Sequence, residues 1–435
     1  MFISNLLHRA CLLVALASSS SLAPHVLASA SAPADVSTAS TASTASTVSG
    51  TATLSAAVAA AWQRSPQARA LEAQRHEVQA GTAAAQTLMA GSAVMGLAHR
   101  SDRGNDQAGK RESDLSLSAP IWLPGQQSAR QVHAQASATG LEAQLAHTRL
   151  VLAGEVRERM WAVFAAREEL IEVQDHLKHL ELLNDEVMRR VNTGDLARTD
   201  GMQAQQAVLA ARAAVTRAKA QQNEALMRYR TLTGQHEIPP VVDETGDHTN
   251  ASASASATLE AHPRMIMAQA LLQRAQAALG VVAASRRDPL SVGVSLRREY
   301  DSSSAPAKHS VALSLQIPLG DHARNRVQST AAQTGIESAS AELAQTRATL
   351  VAEIDLARLQ LSAAREGLEA VTARTTLTRE HSRLIENAFR LGERGLAEVL
   401  RAQAQAHDAH LLESQQRVAL GLAHARLNQA LGILP

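Results

Sequence analysis

The side chains whose spacing suggests chemistry are histidines and carboxylates. His176 and His179, and likewise His407 and His410, stand at i and i+3, with Asp175 and Asp408 beside them. On a helix this spacing puts two imidazoles on one face, where they can share a cation. Neither pair recurs in the other half of the chain and no third ligand is evident. A solvated helix face is the simpler reading, and no metal site is assigned. Asp200 and Glu398 each lie six residues beyond a glycine, Gly194 and Gly392. Where several copies of a chain surround one opening, such carboxylates form a ring that favours cations. An acid in the first turn of a helix is also favoured by the helix dipole alone.

Nothing else reads as catalysis. No Gly-x-x-x-x-Gly-Lys-[Ser/Thr] run for nucleotide phosphates is present, nor a nucleophile elbow or a zinc-protease motif. The chain is therefore expected to be no enzyme and to need no cofactor. A formal net charge of +1 gives no field suited to nucleic acid.

The elements that must position these residues follow from composition. Of 435 residues, 45% are hydrophobic but only 2% aromatic. Alanine and leucine supply the apolar surface, which suits long helices packed closely side by side rather than a thick core. Residues 1–30 read as a secretory signal, with Arg9 before the apolar stretch 10–17 and small residues at Ala28, Ala30 and Ala32 for cleavage. Cys11, the only cysteine, opens that stretch instead of closing it, so no lipid anchor is expected. Beyond the signal no run of eighteen apolar residues occurs, and any membrane crossing must use a closed β-barrel.

Residues 31–53 form an Ala/Ser/Thr-rich lead-in. The remainder reads as one unit written twice, at 54–234 and 258–435, joined by a linker at 235–257. Pro66 pairs with Pro263, Pro120 with Pro318, Gly194 with Gly392, Ala204-Gln205 with Ala402-Gln403, and Gly234 with Gly432, at an offset of 197 or 198 residues throughout. A register held over that span indicates internal duplication. Each unit is expected to run helix, two strands, long helix, turn, return helix. The first helices are expected over 54–89 and 259–287. Strand alternation is clear at Val292, Val294 and Leu296 and at Val311, Leu313, Leu315 and Ile317. It is weaker in the first half, where Val94 and Leu97 do not alternate cleanly. The long helices, over 126–191 and 322–391, contain no proline and would each span roughly 100 Å. Their heptad seams run through Val163, Leu170, Val173, Leu180 and Val187, and through Leu361, Leu368, Thr375, Ser382 and Phe389. Trp122, at a strand-to-helix junction, suits an aromatic belt at a membrane interface, and Trp161 suits wall packing.

Four strands cannot close a barrel, and an open sheet edge cannot sit in lipid. Three copies would give twelve strands, above the roughly eight that just fill their own interior. The expected fold is mainly α with a small β part: a long α-helical coiled-coil barrel joined to a trimer-shared 12-stranded transmembrane β-barrel.

The order of elements, the duplication, and the tips Thr193-Gly194-Asp195-Leu196 and Leu391-Gly392-Glu393-Arg394-Gly395-Leu396 resemble the TolC outer-membrane efflux family. The stretches Arg286-Arg287-Asp288-Pro289, Val292-Gly293-Val294, Arg297-Arg298-Glu299 and Leu315-Gln316-Ile317-Pro318-Leu319 are most similar to its CzcC (cobalt-zinc-cadmium) heavy-metal branch. The resemblance implies a homotrimer in the Gram-negative outer membrane, with its helical tube in the periplasm. It also implies a periplasmic adaptor and an inner-membrane transporter of the resistance-nodulation-division class as partners. It makes Asp200 and Glu398 candidates for a periplasmic gate, with Arg394 at the family's basic position nearby. It makes Gly194, Asp195, Leu196, Gly392, Glu393, Gly395 and Leu396 candidates for adaptor contact. Export of drugs or type I secretion is the alternative cargo. A periplasmic coiled-coil adaptor or scaffold is the alternative class, one that leaves the duplicated strand pairs unexplained.

Overall fold

The computed structural model describes residues 53–102, 109–239, 259–302, 304–320 and 322–435. The expected signal, nearly all of the lead-in and most of the linker lie outside the described residues.

The first helix is two helices. α1, Leu54–Arg64, is opened by the Thr53 hydroxyl, which accepts the Ala56 amide at 3.2 Å. It stops at Ser65, which takes the extended conformation that a following proline enforces (φ −65°, ψ 122°). α2, Pro66–Ala85, begins on Pro66, whose missing N–H has no helical partner to lose there. The Ser65 hydroxyl caps it by accepting the Ala68 amide at 3.3 Å. Thus the single helix expected over 54–89 is broken by its proline and ends four residues early. The second repeat breaks at the corresponding place. There the His262 imidazole accepts the Arg264 amide at 3.1 Å, and Pro263 opens α5, Pro263–Ala284.

Four strands follow the repeats in order: β1, Val94–Ser101; β2, Arg111–Ile121; β3, Leu290–Tyr300; and β4, Lys308–Gln316. They form one antiparallel sheet ordered β1-β2-β3-β4, with the two repeats meeting at β2 and β3. Among the described residues the outer edges of β1 and β4 have no strand partner.

Two helices carry the length. α3, Gln126–Thr193, has 68 residues and α6, His322–Arg390, has 69, so each spans about 100 Å. Both end in a left-handed glycine, Gly194 (φ 87°) and Gly392 (φ 80°). The next amides turn back onto the helix: Asp195 to the Arg190 carbonyl and Glu393 to the Ala388 carbonyl, both at 2.9 Å. The return helices are α4, Arg198–Thr233, and α7, Leu396–Ala430.

These helices form a wall. α3 packs on α2 and α5 toward the sheet and on α4 and α7 toward the tips, while α6 packs on α5 and α7. The expected seam faces inward, since Val163, Leu170, Val173, Leu180 and Val187 of α3 and Leu361, Thr375, Ser382 and Phe389 of α6 are buried. At mid-length a thicker core gathers Leu54, Val58 and Ala61 of α1 with Met160, Trp161 and Phe164 of α3 and Tyr229 of α4. Trp161 meets Phe164 edge-on at 5.5 Å and lies across Gly421 of α7, where an added Cβ would sit 2.0 Å from the indole. Only glycine fits beneath that ring. Arg157 is 2% exposed, yet it donates to the Gln429 side chain (2.7 Å) and the Ile433 carbonyl (3.0 Å). A buried cation thereby ties the end of the second repeat to α3.

The wall is unfinished at both flanks. Met202, Leu209 and Met227 on α4 and Leu359, Leu377 and Leu384 on α6 are all more than half exposed. α5 has the length and mean hydropathy (1.2) of a membrane span. It packs along α3 and α6, so it is a wall helix whose low charge comes from its alanines.

Candidate functional site

The tips of the two repeats form one structure. Leu183, Val187, Ala204, Phe389, Leu396 and Val399 bury one another, with Leu196 and Ile385 against them. The fastener is Arg190, a residue the sequence reading passed over. Its guanidinium donates to the carbonyls of Phe389 (3.3 Å) and Arg390 (3.5 Å), at the end of α6. It also pairs with Glu186 at 2.8 Å and lies 5.1 Å from the Phe389 ring centre. The Phe389 carbonyl already accepts the Gly392 amide at 3.0 Å, so the guanidinium adds a second donor there and sets a cation at the negative end of α6. Nothing in the repeat register marks this contact, because it joins α3 to α6 across the duplication.

Both gate candidates are engaged within their own helix starts. One Asp200 carboxylate oxygen accepts the Ala197 amide at 3.3 Å. Glu398 pairs with Arg394 one turn away at 3.1 Å. An exposed pair of this kind contributes only about 0.3–0.5 kcal/mol, so the Glu398 carboxylate is not held firmly. Leu196 and Leu396 serve the tip core, whereas the Asp195 carboxylate accepts from the Thr193 hydroxyl at 2.9 Å.

The sheet separates its faces by polarity. Met95, Leu117, Val294 and Leu313 stand side by side across all four strands, as do Leu97, Leu115, Leu296 and Val311. Ala119, Val292 and Leu315 form a third row, and Ile121 opposite Leu290 a fourth. The register explains why β1 does not alternate cleanly in sequence: Met95 and Leu97 belong to this face and Val94 to the other. Four rows about 6.8 Å apart cover roughly 20 Å, near the height of an outer-membrane apolar band. The row His99, Ser113, Arg298 and His309 ends it. The other face is small and polar, with Gly96, Ser116, Ser295 and Ala312 in one row and Asp114, Arg297 and Ser310 in the next. There Arg297 bridges Glu112 (2.8 Å) and Asp114 (3.1 Å). Aromatic rings mark both ends of the strands. Trp122 follows β2, donating to the Thr87 carbonyl at 2.9 Å, and Tyr300 closes β3 beneath the Arg298 guanidinium.

The two histidine pairs, unrelated in sequence, share one cleft of about 490 Å³ between α3, α6 and α7. His176 and His407 stack with ring centres 4.0 Å apart and planes 9° from parallel. Burial, then the neighbouring His407 and His179, push His176 down to about 4. Burial also lowers His407, against the pull of Asp408 and Glu172. Two stacked imidazoles in such a place are neutral at ordinary pH. His410 is turned to Arg379, whose Nε lies 3.0 Å from His410 Nε2.

Residues 255–433 match the family described as "Outer membrane efflux protein". No curated relative matches the chain in sequence. Among solved structures, the chain is similar to CusC, in work on its folding and transmembrane channel formation, with a TM-score of 0.74 at 15% identity over 87% of this chain and 92% of that one. The outer membrane protein VceC of Vibrio cholerae gives 0.70 at 16% identity over 87% and 96%. A membrane protein from Pseudomonas aeruginosa gives 0.70 at 19% over 87% and 90%. At these identities the likeness is one of fold. Over its second repeat the chain carries the sequence pattern of outer membrane efflux proteins, and over 87% of its length it has the fold of the membrane proteins named above.

Proposed function

We propose that this chain is one protomer of a homotrimeric outer-membrane efflux channel, a passive duct with no catalytic step. The observation that carries the proposal is the pairing of a two-faced sheet with matching open edges. A sheet with one apolar face and one face of small polar and charged residues suits lipid outside and water inside. Its bare edges, β1 and β4, lie at opposite ends of the strand order, so the β4 of one copy can meet the β1 of the next and close a ring. The helical wall supports the same closure, because α4 and α6 keep bare apolar flanks. Three copies supply twelve strands and a lumen wider than side chains can fill.

A duct 100 Å long has no energy source of its own. The tips would dock a periplasmic adaptor and, through it, a pump of the resistance-nodulation-division class in the inner membrane. Heavy-metal cations are the proposed cargo, supported by the strand and loop motifs that resemble the CzcC branch, whose Asp288 pairs with Arg324 at the sheet-to-tube junction (3.4 Å). Purified protein reconstituted in planar bilayers should conduct as a trimer. Deleting its gene should sensitise cells to cobalt, zinc or cadmium. A monomer in detergent, or bilayers without conductance, would overturn the channel. Sensitivity to drugs alone would move the cargo to that class.

A further inference from the structure

We propose that His176, His179 and His407 bind one divalent transition-metal cation of the zinc class within the wall of each protomer. This site is independent of what the duct carries, because it is argued from the wall alone. The first observation is convergence: two histidine pairs from helices more than two hundred residues apart in sequence line one open cleft, with His176 against His407. His179, one turn along α3 from His176, is already oriented. Its Nδ1 lies 3.0 Å from the Asp175 carbonyl, an oxygen that can only accept, so Nδ1 carries the hydrogen and Nε2 keeps its lone pair. That is the arrangement in which proteins hold imidazoles for metals. Glu172, Asp175 and Glu386 line the same cleft with Arg379 and Arg383, and Asp175 pairs with Lys178 at 2.7 Å. Glu172 is fixed by the Ser414 hydroxyl at 2.9 Å.

His410 is left out of the ligand set, because Arg379 Nε and an Nη atom already donate to its Nε2 at 3.0 and 2.8 Å. Among the described residues no three His, Cys, Asp or Glu side chains already meet at one point. Stacked rings direct their lone pairs along parallel planes, so His407 must turn out of the stack before a metal can sit among the three nitrogens at about 2.0–2.1 Å. An aromatic stack contributes only about 0.5–1.5 kcal/mol, far less than three metal–nitrogen bonds return. Three imidazoles and one water complete a tetrahedron.

The test uses full-length, tag-free protein in detergent, stripped with a chelator and titrated with zinc chloride or cobalt chloride. One metal per chain should bind, with the visible bands of tetrahedral cobalt. His176→Ala, His179→Ala and His407→Ala should each weaken binding about tenfold or more, and His410→Ala should change it less than about twofold. His179 lies outside the stack, so its loss distinguishes ligation from packing. No saturable binding, or binding untouched by His179→Ala or His407→Ala, overturns the proposal. Should variants fail to assemble, wild-type protein decides: zinc should shield His176 and His407 from diethylpyrocarbonate, and equal modification with and without zinc overturns the site.

Discussion

Leu117 of β2 and Val294 of β3 stand directly opposite one another where the two repeats meet. Each projects from the face that carries four rows of apolar side chains, and each is about half exposed. In lipid a charge at this depth costs about 2–4 kcal/mol. If three copies close a barrel as proposed, Leu117→Arg or Val294→Arg should therefore reduce the fraction recovered as membrane-embedded, heat-resistant trimer by tenfold or more. Ala312→Arg lies on the opposite face, one row along on the neighbouring strand, and should leave trimer recovery near the parent level. Equal loss from both faces, measured by flotation and unboiled gel mobility, would contradict a lipid-facing side.

Arg190 holds the tips together through carbonyls on the neighbouring long helix, and hydrogen bonds from a charged donor contribute about 1.5–3 kcal/mol each. Arg190→Ala should lower hydrogen-exchange protection of residues 385–400 by about tenfold or more while leaving the mid-length core around Trp161 protected. Arg190→Lys should restore little, because an ammonium cannot fork to two carbonyls and lie on the Phe389 ring at once. Unchanged exchange at the tips would remove the fastener.

Asp200 and Glu398 occupy corresponding first turns of α4 and α7. If three copies bring six carboxylates to one mouth, their removal eases the passage of anions and widens the constriction. Asp200→Ala combined with Glu398→Ala should raise single-channel conductance in planar bilayers and lower cation preference. Arg394→Ala, which frees Glu398, should increase cation preference. An unchanged conductance in the double variant would remove the gate from these residues.

The long architecture was legible because it repeats. Gly194 and Gly392 end helices at matching positions, and the seam through Val163, Leu361 and their successors has a period that sequence displays directly. What was not legible is whatever joins unlike positions. Arg190 to Phe389 and His176 to His407 cross between helices of different repeats, and neither contact has a counterpart 198 residues away. The helix breaks at Ser65 and His262 were hidden for another reason. Alanine-rich sequence on both sides favours helix, and the proline that stops one helix is welcome as the first residue of the next. In β1 the alternation is unclear from sequence alone, since Val94 is apolar but faces the polar side. Only pairing with the clearer β2 settles the phase.

His262 gives the wall a pH dependence whose sign can be worked out. It is 5% exposed and caps α5 through Nδ1, which accepts the Arg264 amide and so must be free of a proton. Burial, with lesser contributions from His147 and Arg264 outweighing Glu353, pushes it down to about 4 from an ordinary 6.5. The unfolded chain therefore takes up a proton through pH 6.5 that the folded chain refuses until about pH 4. Stability from this group is complete above about pH 6.5, falls as pH drops toward 4, and loses nothing more below that. At about 1.4 kcal/mol per unit, the loss is at most on the order of 3 kcal/mol. Thermal unfolding of the detergent-solubilised protein between pH 7.5 and 4 should show this decline. His262→Asn keeps a side-chain oxygen to accept the same amide but does not titrate, so its unfolding temperature should vary less over that window. If the variant and the parent decline in parallel, the proton is taken up elsewhere.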